Sequence, residues 1–410
     1  MSKSIFRVVC ILTMLVLMNS VAFAGNTATA TSSGVGNSAA ITQAGNLNDA
    51  NIDQDGANNS ASTNQNGTEN VSTIEQTGDD NTAGVYQDGP PVDGNRNVST
   101  VVQIGHDNDV FVDQDDDNTS TVTQDGHENS ADITQTGFFG NDFNTSTVTQ
   151  DSHNYANVHQ DGNENTSTIE QHYENEAFVR QSGFDNVSDI HQGYDNYANV
   201  NQSGSSNEST IDQHAENVAF VDQSGSDNTS DVQQGHDSNY AQVNQSGDSN
   251  RSSIDQGDSN DAYVDQSGYN NDSSISQEGT ENYANVDQTG SNNRSAVNQN
   301  SATNGLTNCC AHGNDATVEQ SGDWNVSEIN QDDDNRAHVV QTGIGTELDP
   351  NRVRINQWNN GDIANATQNG GEGNSIIINQ SEGYSDPVVN GNVAAATQNG
   401  SFNSVVITQN

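Results

Sequence analysis

Along most of this chain, small or aliphatic residues alternate with polar ones in short runs of one form: Asn, then Ser or Ala two positions on, then Val or Ile, then Gln, as in Asn165-Thr-Ser167-Thr-Ile169-Glu-Gln171. The Gln falls at 43, 54, 65, 76 and 87, at 103, 114, 124 and 135, then from 150 to 299 at steps of ten or eleven. A last group follows at 320, 331, 341, 357, 368, 380, 398 and 409. Asn stands six positions before each, except that Asp362 precedes Gln368. A degenerate copy, Asn26 to Ser32, sits in register ahead of the first, with Ser where Gln belongs. Side chains two apart share one face of a strand, so a period of two predicts β-structure, each copy a strand of about seven residues.

The three or four residues between a Gln and the next Asn are Gly-rich and acidic, as in Asp55-Gly56-Ala57-Asn58, and read as tight turns. Longer gaps at 88–96, 136–143, 300–313, 342–350 and 381–391 all lie between a Gln and an Asn, and they hold all four prolines. Insertions confined to turns support the strand assignment, since proline there removes no ladder hydrogen bond. The second position alternates, Ser at 167, 188 and 209 against Ala at 177, 198 and 219. The true unit is therefore about 22 residues with two unlike strands. The expected fold is all-β: a two-sheet β-solenoid of about sixteen coils, each strand stacking on its equivalent one coil later. One Val or Ile per strand buries too little to order seven residues, so the deficit falls to backbone pairing and to inward Asn and Gln amides bonded coil to coil. The amide positions Asn165, Gln171, Asn207 and Gln213 represent those ladders.

Residues 1–24 have the form of a secretory signal, with Lys3 and Arg7, an apolar run from Val8 to Met18, and Ala22-Phe23-Ala24 before Gly25. The expected organisation is a signal peptide followed by one repeat solenoid over 25–410. No later stretch is apolar enough for a membrane span. The chain carries 57 acidic residues against 9 basic ones, a formal charge of −48, which excludes nucleic acid as a partner. The acids crowd the middle, whereas the last coils are greasier, with Ile376-Ile377-Ile378 and Val405-Val406-Ile407. Low-charge ends with a charged interior suit a molecule that docks through its ends.

The spread Ser-x3-Gln-x3-Asn-x-Ala-x3-Gln, readable in Ser209, Gln213, Asn217, Ala219 and Gln223, resembles the curlin repeat of bacterial curli fibre subunits. The resemblance implies a secreted subunit of a Gram-negative extracellular amyloid fibre supporting adhesion and biofilm, with self-association and dedicated secretion and nucleator proteins as partners. It further implies nucleation positions at Asn37 and Gln43 at one end and Asn403 and Gln409 at the other. Family members commonly have about five repeats, so this chain is an unusually long one, and the short stretch ahead of its first repeat departs from the family's export segment. The alternative is an acidic, cation-binding surface rod that does not polymerise.

Other chemistry is sparse. The turn clusters Asp115-Asp116-Asp117 and Asp332-Asp333-Asp334 are weak candidates for loosely held Ca²⁺, through oxygen ligands stacked at coil spacing. Outward threonines such as Thr121 and Thr147 make a flat array that dissolves at Glu170. Cys309-Cys310 lie in the longest insertion, open to a vicinal bridge or an interchain link in an oxidising compartment. The histidines lack ligand spacing. No nucleophile and base form a unique set, so no enzymatic activity is expected.

Overall fold

The computed structural model describes residues 25–89, 96–137, 142–301, 313–332, 334–358, 361–381 and 391–409. The expected signal segment, Cys309-Cys310 and Asp333 lie outside these residues. The described chain is entirely β, with 33 strands and no helix. Contacts group it into two units, 1–181 and 182–410.

In each unit alternate strands belong to two parallel sheets, and the pairing is in register. In the first unit Asp49–Ala57 lies on Val71–Asp79 with Ile52 opposite Ile74, Gln54 opposite Gln76 and Gly56 opposite Gly78. In the second, Tyr197–Ser205 lies on Val218–Ser226 with Val200 opposite Val221 and Gln202 opposite Gln223. Like residues thus stack on like, one coil apart, in a β-solenoid of about 15 turns of roughly 22 residues. The Ser/Ala alternation sorts by sheet, since Ser209 and Ser230 pair in one while Ala219 and Ala241 pair in the other. A one-residue slip would put every Gln into water and every outward acid into the core, which pins the register.

The core is narrow. Each strand turns three side chains inward, and Ile74, Ile211, Val243 and Ile329 are fully buried. Inward faces of the two sheets meet directly, as where the hydroxyls of Thr63 and Ser72 lie 3.1 Å apart. The strands run from six to nine residues, and the longer ones continue beyond the Gln into the glycine. Apart from Asn325–Gln331 and Asn351–Gln357, which start at it, the strands begin one residue after the Asn (after Asp362 in one coil), which therefore stands at a corner rather than inside the strand. The cause is local. At most corners the residue before the Asn takes a left-handed conformation, as at Asn58, Asp80 and Ser206 with φ of 58°, 59° and 54°. Asn, Asp and Ser bear that geometry better than branched residues because short polar side chains bond to the local backbone. Gly204, at φ +106°, shows the other requirement: a Cβ there would lie 2.0 Å from the carbonyl oxygen of Gly225 one coil on. Stacked turns of this closeness accept only glycine.

The insertion at 342–350 is fully described. It closes through a parallel bridge between Asp323 and Ile344 and delivers Asn351 back into register.

Candidate functional site

Amide columns of two kinds, Gln and Asn, run through each unit, and the two kinds have opposite polarity. In the Gln columns the Nε2 of one coil donates to the Oε1 of the next toward the C-terminus. Gln43 donates to Gln65 at 2.9 Å and Gln65 to Gln87 at 2.9 Å; in the other sheet Gln54 donates to Gln76 at 2.8 Å. The second unit repeats this, Gln213 to Gln234 at 2.8 Å and Gln380 to Gln409 at 3.0 Å. In the Asn columns the later residue donates to the earlier one. The backbone N–H of Asn207 reaches Asn186 Oδ1 at 3.2 Å and its Nδ2 reaches the same oxygen at 3.0 Å. All these Gln and Asn in the interior are buried, and apart from Gln54 Oε1 their amide groups find partners inside the protein.

Each amide also ties down backbone. The Asn207 Nδ2 bonds the carbonyl of Ser203 four residues back, at 3.1 Å, and that of Gly225 one coil on, at 3.2 Å. It therefore locks its own turn and the next together. Gln202 Nε2 donates to the carbonyls of Val187, at 2.8 Å, and Asn207, at 3.1 Å, across to the other sheet. The Gln residues are clamps between sheets as well as rungs, a role the linear pattern does not reveal.

The expected sites separate into two groups. Asn165, Gln171, Asn207 and Gln213 are sealed rungs. Asn37, Gln43, Asn403 and Gln409 belong to the outermost coils. Asn37 donates to the carbonyls of Ser33 and Gly56 and accepts the Asn59 N–H at 2.9 Å. Asn403 and Gln409 receive their partners from the preceding coil, Asn374 and Gln380. Their strands, Thr27–Val35 and Ser38–Asn46 at one edge and Val393–Asn399 and Ser404–Gln409 at the other, each pair on one side in the described chain. Inward residues of Thr27–Val35 and Ser404–Gln409 are half-buried where equivalent interior residues are fully buried.

Column polarity fixes what each edge offers. The first edge presents Gln acceptors and Asn N–H donors; the last presents Gln donors and Asn acceptors. An unmatched acceptor is already visible at the first edge. Gln54 Oε1 is buried without a hydrogen-bond partner, because the coil before it carries Ser32 in place of Gln.

The acidic turn at 115–117 is more closed than its composition predicts. Asp116 and Asp117 are buried, and Arg96 Nε donates to Asp117 Oδ1 at 3.0 Å. Asp142, which falls inside the insertion 136–143, comes to the same corner. Its carboxyl occupies the space a side chain at Gly137 would take. Burial, then the charges of Asp116, Asp115 and Asp117, pushes the Asp142 carboxyl up to about 6. Burial and the charges of Asp113 and Asp88 likewise raise Asp115. Among the described residues no three acidic, His or Cys groups are gathered as a metal site requires, at 115–117 or at Asp332 and Asp334.

Five segments of the chain, residues 24–56, 56–89, 237–268, 256–279 and 311–343, match the curlin associated repeat. No curated protein matches the chain.

Proposed function

Because this chain is a curlin-repeat protein, we propose that it is a secreted structural subunit of a curli-like extracellular fibre, growing by addition of one copy's first edge to the last edge of another. The observation that carries this reading is the complementary polarity of the two edges. A Gln Nε2 at the last edge meets a Gln Oε1 at the first, and an Asn Oδ1 at the last meets an Asn N–H at the first. Two like edges would set donor against donor and acceptor against acceptor. Addition is thus head to tail, and main-chain hydrogen bonds supply most of the affinity. Asn37, Gln43, Asn403 and Gln409 are the side chains that such a junction would complete.

The proposal includes export of residues 25–410 after removal of 1–24, a Gram-negative source, a surface-fibre location supporting adhesion and biofilm, and helper proteins for secretion and nucleation. It includes no catalysis. The outward acids restrain assembly. Asp113 is held above the usual carboxylate range by burial and by Asp88 and Asp132, like charges on the two neighbouring strands. Salt or loosely bound Ca²⁺ would screen them and speed growth.

The test is incubation of purified residues 25–410 with and without Ca²⁺. Seeded growth of thioflavin-positive fibres is expected, faster at higher ionic strength. A folded chain that stays monomeric at high concentration would overturn the reading in favour of a non-polymerising acidic rod.

A further inference from the structure

On the outer face of the Ala-type sheet in the second unit, five aromatic rings form a continuous ladder. Tyr197, Phe220, Tyr240, Tyr263 and Tyr283 follow one another with ring centroids 5.4, 5.8, 5.4 and 5.5 Å apart and planes inclined by 37–44°. The rings come alternately from the first and third residues of successive strands, so the ladder zigzags along the stacking direction. All five are half-buried or exposed, and so lie open to a ligand.

At the fifth position of these strands, two residues beyond Phe220 and Tyr263 and four beyond Tyr197, Tyr240 and Tyr283, runs a column of Asn201, Asp222, Asn244, Asp265 and Asp287, continued by Glu319 on the next strand, and Asp265 stands directly opposite Asp287. Asp261 adds a carboxylate between Tyr240 and Tyr283 on the other side of the ladder. Among the described residues Asp261, Asp265 and Asp287 form no ion pair with arginine. The surface is therefore an aromatic rib bordered by carboxylates without an arginine partner, which stand on neighbouring strands at Asp265 and Asp287.

We propose that this face binds a linear polyamine lying along the ladder, its methylenes on the rings and its ammonium groups shared between ring faces and the acid column. Charge complementarity selects the occupant. Flat rings attract cations through their quadrupoles, and they exclude water from one side of the adjoining ion pairs. Spacing supports the choice: three or four methylenes set successive ammonium groups about 5 to 6 Å apart, near the strand interval of about 4.8 Å. A compact divalent ion would use the carboxylates alone and leave the rings idle. Repulsion within the column is already present, for Asp287 is raised by burial and by the charges of Asp265 and Glu319. The aromatic ladder also stiffens the sheet by cross-strand contact, but that role needs no acids beside it.

The inference does not depend on fibre formation, and the experiment can be run on residues 25–410 in either state. Spermine is titrated calorimetrically into the wild type and four paired variants. Tyr240→Leu with Tyr263→Leu keeps apolar packing but removes the ring faces, and is expected to weaken binding about tenfold. Tyr240→Phe with Tyr263→Phe keeps the faces and is expected to bind like the wild type. Asp265→Asn with Asp287→Asn is expected to weaken binding about tenfold and to flatten its salt dependence. Asp212→Asn with Asp255→Asn, on the opposite sheet, serves as the control for diffuse counterion attraction. The proposal is overturned if spermine does not bind saturably, if the opposite-sheet pair weakens binding as much as the Asp265/Asp287 pair, or if the Leu pair binds like wild type.

Discussion

Replacing Gln245 by leucine tests the claim that amides, more than apolar burial, hold the coils together. Gln245 is buried in the second unit. Its Oε1 accepts from Gln223 Nε2 at 2.8 Å, and its Nε2 donates to Gln266 Oε1 at 2.8 Å and to the Thr229 carbonyl at 3.0 Å. Leucine has nearly the same volume and removes all three bonds. Three bonds at about 1 kcal/mol net each, plus about 1–3 kcal/mol for leaving Gln266 Oε1 buried without its donor, give a gross loss of roughly 4–6 kcal/mol. Burying the new methyl groups returns about 1.5–3 kcal/mol. The expected net loss is about 1–4.5 kcal/mol. A neighbouring outward residue, Asn244, supplies the control, with Asn244→Ala expected to change stability by less than about 0.5 kcal/mol. Stacked repeats need not unfold in one step, so the proper readout is native-state hydrogen exchange at the amides of Tyr240–Asp248 and the strands stacked on it. Gln245→Glu sharpens the test. A carboxylate there would face the two oxygens that Nε2 now satisfies, so its folded pKa is raised. Its stability is then present at low pH and lost as pH rises through that value. The variant should be close to wild type near pH 4.5 and worse at pH 8. If Gln245→Leu exchanges no faster than Asn244→Ala, the ladders are ornament and the account of the core is wrong.

Three further outcomes follow from particular atoms. Asp142→Asn should stabilise the first unit above pH 6: the wild-type carboxyl, raised from 3.8 to about 6, contributes stability that is lost as pH climbs through that interval, up to about 3 kcal/mol, and thermal melts at pH 5 and pH 8 should converge in the variant. Ser209→Ala should raise stability by about 1 kcal/mol, because Ser209 Oγ is buried without a hydrogen-bond partner and alanine already serves at the equivalent place in the other sheet; a denaturant midpoint that falls would contradict this. Ser32→Gln should supply the donor that Gln54 Oε1 lacks and slow amide exchange in Asp49–Ala57, and an unchanged exchange rate would refute the edge polarity assigned here.

Most of the architecture could be read from spacing. The strand positions, the confinement of insertions to turns and the pairing of equivalents such as Gln202 and Gln223 all follow from a period of two nested in a period of about 22. The Asn position was read as part of the strand, and the structure puts it at the corner. That displacement was hidden because alternation marks which way a side chain points but not where the backbone turns. The left-handed residue before most of the Asn, variously Leu47, Glu69 or Ser206, carries no single residue type to announce it.

The candidate sites divide in the same way. Asn37, Gln43, Asn403 and Gln409 could be placed in the outermost coils by counting alone. Their donor and acceptor sense could not, since an amide reads identically in either orientation and its direction is chosen by the carbonyls around it, such as Val187 and Asn207 for Gln202. Asp142 joined Asp115, Asp116 and Asp117 for a comparable reason: it lies beyond a gap in the pattern, and Gly137 leaves the space that admits it. The aromatic ladder needs two registers at once, because Tyr240 comes from a first position and Tyr263 from a third.

What the sequence alone determined is periodic: strand, turn, coil length, inward and outward faces, and the demand that identical residues stack. These follow because a strict repeat allows each strand one environment, and that environment is another copy of itself. What only the tertiary structure decided is directional and non-periodic: the sense of each amide column, the corner at each Asn, the buried acid at 142 and the zigzag of rings. Those depend on contacts across sheets and between successive coils, where the choice is made by which neighbouring oxygen or hydrogen is closest in space.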